Sequence, residues 1–254
     1  MTGAVAALYR HPIKGYTPET VQRARLMPGA PFPGDRLFAV EDGPCGFDPA
    51  APRWIAKQNF TVLANIAAVA GIRTHFDDAS GLLHAQAAGA TDIAAAIHTE
   101  TGRAAFAAWL TEILGDEARG PLRLVDGGGH RFLDHPRGHV SIINLASIRD
   151  LAARLGAPVD PLRFRANLYV EGWAAWVEND WTGRGVRLGA AAATVFQPIT
   201  RCAATMVDPV TAIRDLDIPG ALHRFYGHVL CGIYVHIETA GEIAVGAYAG
   251  PTGL

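Results

Sequence analysis

A chain of 254 residues, 50% hydrophobic and 18% charged, with a formal net charge of −2, has the material of a globular protein with one large or two small cores. That near-neutral balance excludes the basic footprint of a nucleic-acid binder. The apolar run at residues 4–9 is too short for a signal h-region or a membrane span, and Arg10 and Lys14 cut it off. The expectation is a cytoplasmic protein with neither nucleic acid nor membrane as partner.

Residues 4–9 read as a strand that His11-Pro12 interrupts, and residues 21–26 alternate in part with period two before the turn-rich 28–34. Residues 36–40 read as a strand, and 43–52, dense in Gly, Pro and Asp, as a loop. The stretch 61–72 and the alternation at 82–87 continue the sheet-like reading. A helix is expected over 101–114, with Phe106, Leu110, Ile113 and Leu114 on one face and Gly115 ending it in a left-handed cap. Gly127-Gly128-Gly129 follows, and a domain boundary near residue 120 gives units 1–120 and 121–254. A second helix, 145–155, has Asn144 as N-cap, Ile148, Leu151 and Leu155 on one face, and Gly156 as its stop. Strands return at 168–170, 186–188, 193–197, 231–237 and 242–248. The fold class is therefore mainly β, with a few helices.

The cysteines, Cys45, Cys202 and Cys231, are odd in number and form no CxxC pair, which argues against a disulfide framework, a structural zinc or an iron–sulfur cluster. The ten histidines are scattered without a helical His-x-x-x-His, so a zinc hydrolase is not expected, and no glycine-rich stretch has P-loop order. Only Lys14 and Lys57 are lysine among the 22 basic residues, which hints at positions suited to a compact ammonium. Cys202 is the most informative position: it follows Arg201 where a strand gives way to a loop ahead of Asp208-Pro209. Alone, it reads either as a reachable thiol or, more often for a single cysteine, as a small core hydrophobe.

The stretch Arg201-Cys202, Thr205, Val207-Asp208-Pro209 and Thr211 resembles the cysteine motif of MOSC domains, the bodies of amidoxime-reducing enzymes and the C-terminal domains of molybdenum-cofactor sulfurases. Ala212 stands where that motif has glycine. Leu8 to Gly15 is similar to the Tyr-Pro-[IV]-Lys-Ser opening of the β-barrel domain that precedes MOSC, with Gly15 in place of serine, and Gly34-Asp35-Arg36 to Val40 to that domain's Asp-Arg strand. Phe132-Leu133-Asp134, Arg163 to Asn167, Glu178 to Trp181 and 231–248 follow in family order. The resemblance implies an N-terminal β-barrel domain with an inserted helix and a C-terminal MOSC β-barrel, with a cofactor in the cleft between them.

It implies molybdenum cofactor as the ligand, with Cys202 as catalytic thiolate and metal ligand, and Asp134 beside the metal on the proton side. Lys14, Gly15, Arg36, Arg165, Asn167 and Arg201 become cofactor-binding candidates, their charges suited to a phosphate. Ala166 replaces a proline in the Phe-Arg-Pro-Asn motif, and Lys57 and Gln58 are lesser candidates. The implied activity is reduction of N-hydroxylated small molecules such as hydroxylamines or amidoximes. No flavin or ferredoxin signature is present, so the electrons are expected from an external flavin or iron–sulfur reductase. The alternative is a carrier of cofactor, or of sulfur as a persulfide on Cys202. A cofactor-free scaffold is the third reading, and pyridoxal phosphate binding is a further family association.

Overall fold

The computed structural model describes residues 3–252. Its strands are β1 (Gly3–Arg10), β2 (Glu19–Val21), β3 (Arg23–Leu26), β4 (Phe38–Asp42), β5 (Arg73–Asp77), β6 (Leu82–Gln86), β7 (Ile93–Ala96), β8 (Leu122–Asp126), β9 (Val140–Asn144), β10 (Leu168–Glu171), β11 (Gly185–Leu188), β12 (Ala191–Thr200), β13 (Leu230–Thr239), β14 (Gly241–Ala244) and β15 (Tyr248–Pro251). Three α-helices occur among the described residues: α1 (Glu100–Leu114), α2 (Leu145–Leu155) and α3 (Ile218–Tyr226).

Seven strands close into a barrel in the order β10-β9-β13-β12-β11-β15-β1, with β1 pairing back onto β10 and β2 added alongside β1. Closure removes the sheet edges that would leave N–H and C=O groups unpaired. The wall is built by period-two alternation: Val186 and Leu188 of β11, Val195 of β12, and Ile233, Val235 and Ile237 of β13 turn inward and are at most 2% exposed. Val5 and Leu8 of β1 join that core although they are three residues apart, because a bulge between Val5 and Ala7 resets the alternation. The barrel thus takes one strand from the first ten residues and six from beyond residue 139.

The smaller unit holds the β4–β8 pair and the β5-β6-β7 sheet, with α1 packed on them around Phe38, Val40, Leu83, Phe106 and Leu110. Thr99 caps α1 by accepting from Gly102 N at 3.0 Å. Gly102 must be glycine: a Cβ there would stand 2.1 Å from Ala96 O. Helix α2 has the expected ends, with Asn144 accepting from Ala146 N and Gly156 at φ 68°.

Some expectations fail for local reasons. Residues 61–72 contain no strand; they form turns and the 3-10 helix Ala67–Gly71, and the Leu63 and Ala64 carbonyls are taken by Arg214 instead of a neighbouring strand. The strand expected from residue 36 starts at Phe38, because Arg36 lies in the left-handed region at φ 50°. The strand expected at 242–248 is two, β14 and β15, separated by a turn through Gly246 at φ 85°. Helix α3 escapes sequence reading because it is nine residues long, although Asp217 caps it and Gly227 ends it. No helix among the described residues is long and apolar enough to cross a membrane.

Candidate functional site

Two of the segments in which the chain passes between the two units carry site residues. After β1, His11-Pro12 turns the chain so that Lys14 N donates to Phe38 O at 2.8 Å, while Asp35 accepts from His11 N at 2.7 Å. After β8, the return segment is fixed by Gly127 N donating to Leu37 O and Phe132 N to Arg36 O, both at 3.0 Å. Lys14 ties the crossings together: its Nζ donates to Phe132 O at 2.9 Å and pairs with Asp134.

From the barrel, β12 ends at Thr200, and Cys202 follows as the residue that starts the 3-10 helix Ala203–Met206. The Cys202 thiol is half-buried, with Lys57 Nζ 3.1 Å from Sγ. It faces a cavity of about 300 Å³ that Arg36, Lys57, Asp134, Arg165 and Arg201 also line. An adjoining pocket of about 30 Å³ shares several of these residues and reaches Lys14 and Gly15. Eight residues singled out from sequence therefore meet in one place: Lys14, Gly15, Arg36, Lys57, Asp134, Arg165, Arg201 and Cys202.

Two do not. Asn167 is buried behind the cavity, its Oδ1 accepting from Ser141 N and Oγ and its Nδ2 donating to Tyr9 O, so it ties β9 to β1. Gln58 does not line the cavity; its carbonyl accepts from Asn65 Nδ2. A larger groove of about 1100 Å³ lies between α1 and β8, but it is lined by Ala104, Ala107, Ala108, Leu122 and Leu124 with polar groups such as His98 and Thr111, and has neither a cysteine nor a lysine. The smaller cavity is where thiol and cations converge, and that convergence assigns the chemistry to it.

The cations outnumber the anions. Arg36 pairs with Asp35 and Lys14 with Asp134, but among the described residues Lys57, Arg165 and Arg201 have no carboxylate partner. Arg165 donates to Tyr16 O, and Arg201 to Cys231 O and Phe164 O, while Arg201 Nη2 is buried without a hydrogen-bond partner. Burial, followed by repulsion from Arg36, pushes the Arg165 pKa down to about 10. Burial likewise lowers the Lys14 pKa, with Asp134 opposing the shift. For Asp134 burial disfavours the charge, yet Lys14, Arg36 and Lys57 outweigh it and hold the carboxyl well below the usual range. Asp134 is thus a fixed carboxylate, with 43% of its side chain open to the cleft. Arg165, at φ 52°, joins Arg36 in the left-handed region, a strain that collects at functional sites.

Cationic groups without partners and an orphaned guanidinium nitrogen fit an anion, and the thiol beside them fits a thiophilic metal. Among the described residues no three His, Cys, Asp or Glu side chains gather into a metal site, so a metal here would bring most of its own ligands. Sequence reasoning missed Gln197 and Tyr234, which also line the cavity, and the buried His11–Asp35 pair behind Arg36. The outward positions of the alternating β12 and β13 were the available signal for the first two.

The profile of the MOSC domain matches residues 129–248, and that of the MOSC N-terminal beta barrel domain matches residues 2–119. Mitochondrial amidoxime-reducing component 1 of Mus musculus is 30% identical over 119 residues, covering 41% of this chain and 34% of the relative, so the match spans about a third of that protein's length. Among solved structures, the YUAD protein from Bacillus subtilis aligns over 98% of this chain and 94% of its own, at 13% identity and a TM-score of 0.44. YiiM from Geobacillus stearothermophilus aligns over 46% and 55%, at 21% identity and a TM-score of 0.37. With the two profiles laid end to end over nearly its whole length, the chain belongs to the MOSC family and carries the MOSC N-terminal beta barrel domain ahead of the MOSC domain.

Proposed function

We propose that this protein is a molybdenum-cofactor-dependent oxidoreductase that reduces N-hydroxylated compounds, with Cys202 as the protein's thiolate ligand to the metal. The observation that supports this most is the half-buried Cys202 thiol in a cavity where Lys57, Arg165 and Arg201 have no carboxylate partner. Arg165 and Arg201 would hold the phosphate of a pterin dithiolene, Arg36 would add a third guanidinium, and Gly15 would offer its backbone N–H. Bound there, the cofactor supplies a thiophilic metal that accepts one oxygen atom with a two-electron change.

The net reaction is R–NH–OH plus two electrons and two protons giving R–NH2 and water. The electrons come from a partner protein carrying flavin or iron–sulfur, and the protons from solvent at the open cleft. The Lys14–Asp134 pair spans both crossings, so its task is to hold Phe132 and Asp134 in place at the cavity wall. Pyridoxal phosphate has weaker support: an amine that condenses with an aldehyde must be neutral and free, whereas Lys14 is engaged by Asp134 and Lys57 is held charged, burial being outweighed by Asp134 and Cys202.

The test is metal and pterin analysis of protein made in a host that synthesises molybdenum cofactor, beside Cys202→Ala. Near-stoichiometric molybdenum and pterin in the wild type, an altered metal–thiolate spectrum in the variant, and hydroxylamine or amidoxime reduction lost with it are expected. Cofactor bound without turnover of any N-hydroxylated compound would turn the reading to a carrier. Absence of both metal and pterin would end it.

A further inference from the structure

The cavity has two chemically different sides. One is the cationic side already described. The other is neutral and comes from the barrel wall and the second crossing. Along β13, Ile233 and Val235 fill the barrel core, so Tyr234 between them faces the opposite way, into the cleft. Gln197 is its cross-strand neighbour on β12, next to a register shift between Val195 and Gln197. His135 comes from the crossing segment and packs against Phe196 and Tyr234, with ring centroids 5.3 and 6.1 Å away.

His135, Gln197 and Tyr234 all line the cavity. Among the described residues neither the Gln197 amide nor the Tyr234 hydroxyl makes a hydrogen bond within the protein. The Nδ1 of His135 accepts from Arg137 N at 3.1 Å, so the neutral ring carries its proton on Nε2. The carboxylates nearby are committed: Asp134 to Lys14, and Asp208 and Asp215 to Arg163. A cationic ligand would find no free carboxylate to pair with, since Arg165 and Arg201 are taken up by the cofactor's phosphate and the remaining carboxylates by their own cations.

We infer that His135, Gln197 and Tyr234 form the wall that receives the substrate, and that this wall selects uncharged N-hydroxylated compounds over cationic ones. The inference rests on the reductase reading and names the substrate class of that site. Tyr234 O–H and His135 Nε2–H donate to the oxygen of the N–O group, while the Gln197 carbonyl accepts from its N–H or O–H. Polar groups that must find partners discriminate strongly, and a cation moved from water to this neutral wall has no carboxylate to offset its lost hydration.

The experiment uses oxidised, molybdenum-loaded protein without an electron donor, so that binding is read apart from turnover. Titration calorimetry compares an uncharged aryl amidoxime with an aryl N-hydroxyguanidinium of matched shape. The amidoxime is expected to bind at least about tenfold more tightly, and Tyr234→Phe, which removes one hydroxyl and keeps the ring, to weaken it by roughly tenfold, as loss of one hydrogen bond does. Gln197→Leu serves as the second variant, and unchanged thermal unfolding of both variants establishes that they fold. Equal binding of the cation, wild-type affinity in both folded variants, or no binding of either compound to the wild type would overturn the wall. Binding with the expected selectivity but no reduction once electrons are supplied would instead overturn the reductase reading and leave the wall standing.

Discussion

His11 is enclosed completely, with Nδ1 3.2 Å from Asp35 Oδ1 and Nε2 facing no partner. Burial, then the charge of Arg165, pushes its pKa down to about 3. The ring is therefore neutral at pH 7 and donates through Nδ1 to the carboxylate that also holds Arg36. An unfolded histidine titrates near 6.5, so between that pH and about 3 the unfolded chain binds a proton that the folded chain does not. Stability must fall as pH drops through this window. Asp35 and Asp134 have depressed pKa values, and their contributions are lost only below the unfolded carboxylate range, near pH 4. Urea unfolding at pH 7 and pH 5 should thus show a loss of about 2 kcal/mol from this histidine, 1.36 kcal/mol for each unit below 6.5. His11→Asn, which keeps a donor for Asp35, should flatten the dependence; parallel loss in both proteins would remove His11 as the cause. Two departures from the family motif also become physical at this scale. A Cβ at Gly15, φ 92°, would stand 2.8 Å from Thr61 O, so this chain has no room for the motif's serine. Ala212 does adopt the left-handed conformation, φ 59°, that the motif's glycine suits, at a cost of roughly 1–2 kcal/mol.

Helix α2 shows how one element is locked to the barrel by polar groups. Asn144 caps it through Oδ1 and spends Nδ2 on Glu178 Oε2 at 2.8 Å and Ala174 O at 2.7 Å, while Ser147 donates to Glu178 Oε1 at 2.8 Å. Glu178 is fully buried with no cation beside it, and burial raises its pKa despite these donors. Removing the carboxyl leaves two buried donors unpaired, so Glu178→Ala should cost about 2–5 kcal/mol by chemical denaturation. Glu178→Gln keeps the carbonyl acceptor and should lose far less; equal losses would mean that packing volume, and not the polar cluster, holds the helix. The ends of α1 and α2 were legible in the sequence because caps and stops are local: Asn144 and Gly156 need only their own helix to be read. Glu178 stood in a motif stretch, but nothing local could say that its carboxyl would reach back to Ser147, thirty-one residues away. The same limit explains Asn167. Its place in the motif suggested a cofactor contact, whereas pairing with Ser141 and Tyr9 depends on which strands become neighbours.

At the scale of the molecule, what most escaped sequence reading is barrel closure, because a strand's own residues do not name its partner. Residues 4–9 read correctly as a strand, yet nothing in them says that β1 will sit between β10 and β15, more than 150 residues on. That placement shapes the site. Because β1 belongs to the barrel and the following residues belong with β4, the chain must pass through the cleft at once, and Lys14 and Gly15 lie on that passage. The later return to β9 is another such passage and brings Asp134 and His135. The cavity is therefore a consequence of an interleaved chain. A cut near residue 120 would part the two compositional units, but it would also take β1 from the barrel and leave β10 and β15 as facing edges beside an uncovered core. Residues 121–254 expressed alone should consequently aggregate or bind a hydrophobic dye without a cooperative unfolding transition. Co-expression with residues 1–120 should restore a soluble complex that melts in one step, since β1 adds both ladders and the Val5 and Leu8 contacts. A cooperatively folded 121–254 fragment would show instead that the six remaining strands suffice, and that β1 serves chiefly to deliver Lys14 to the cleft.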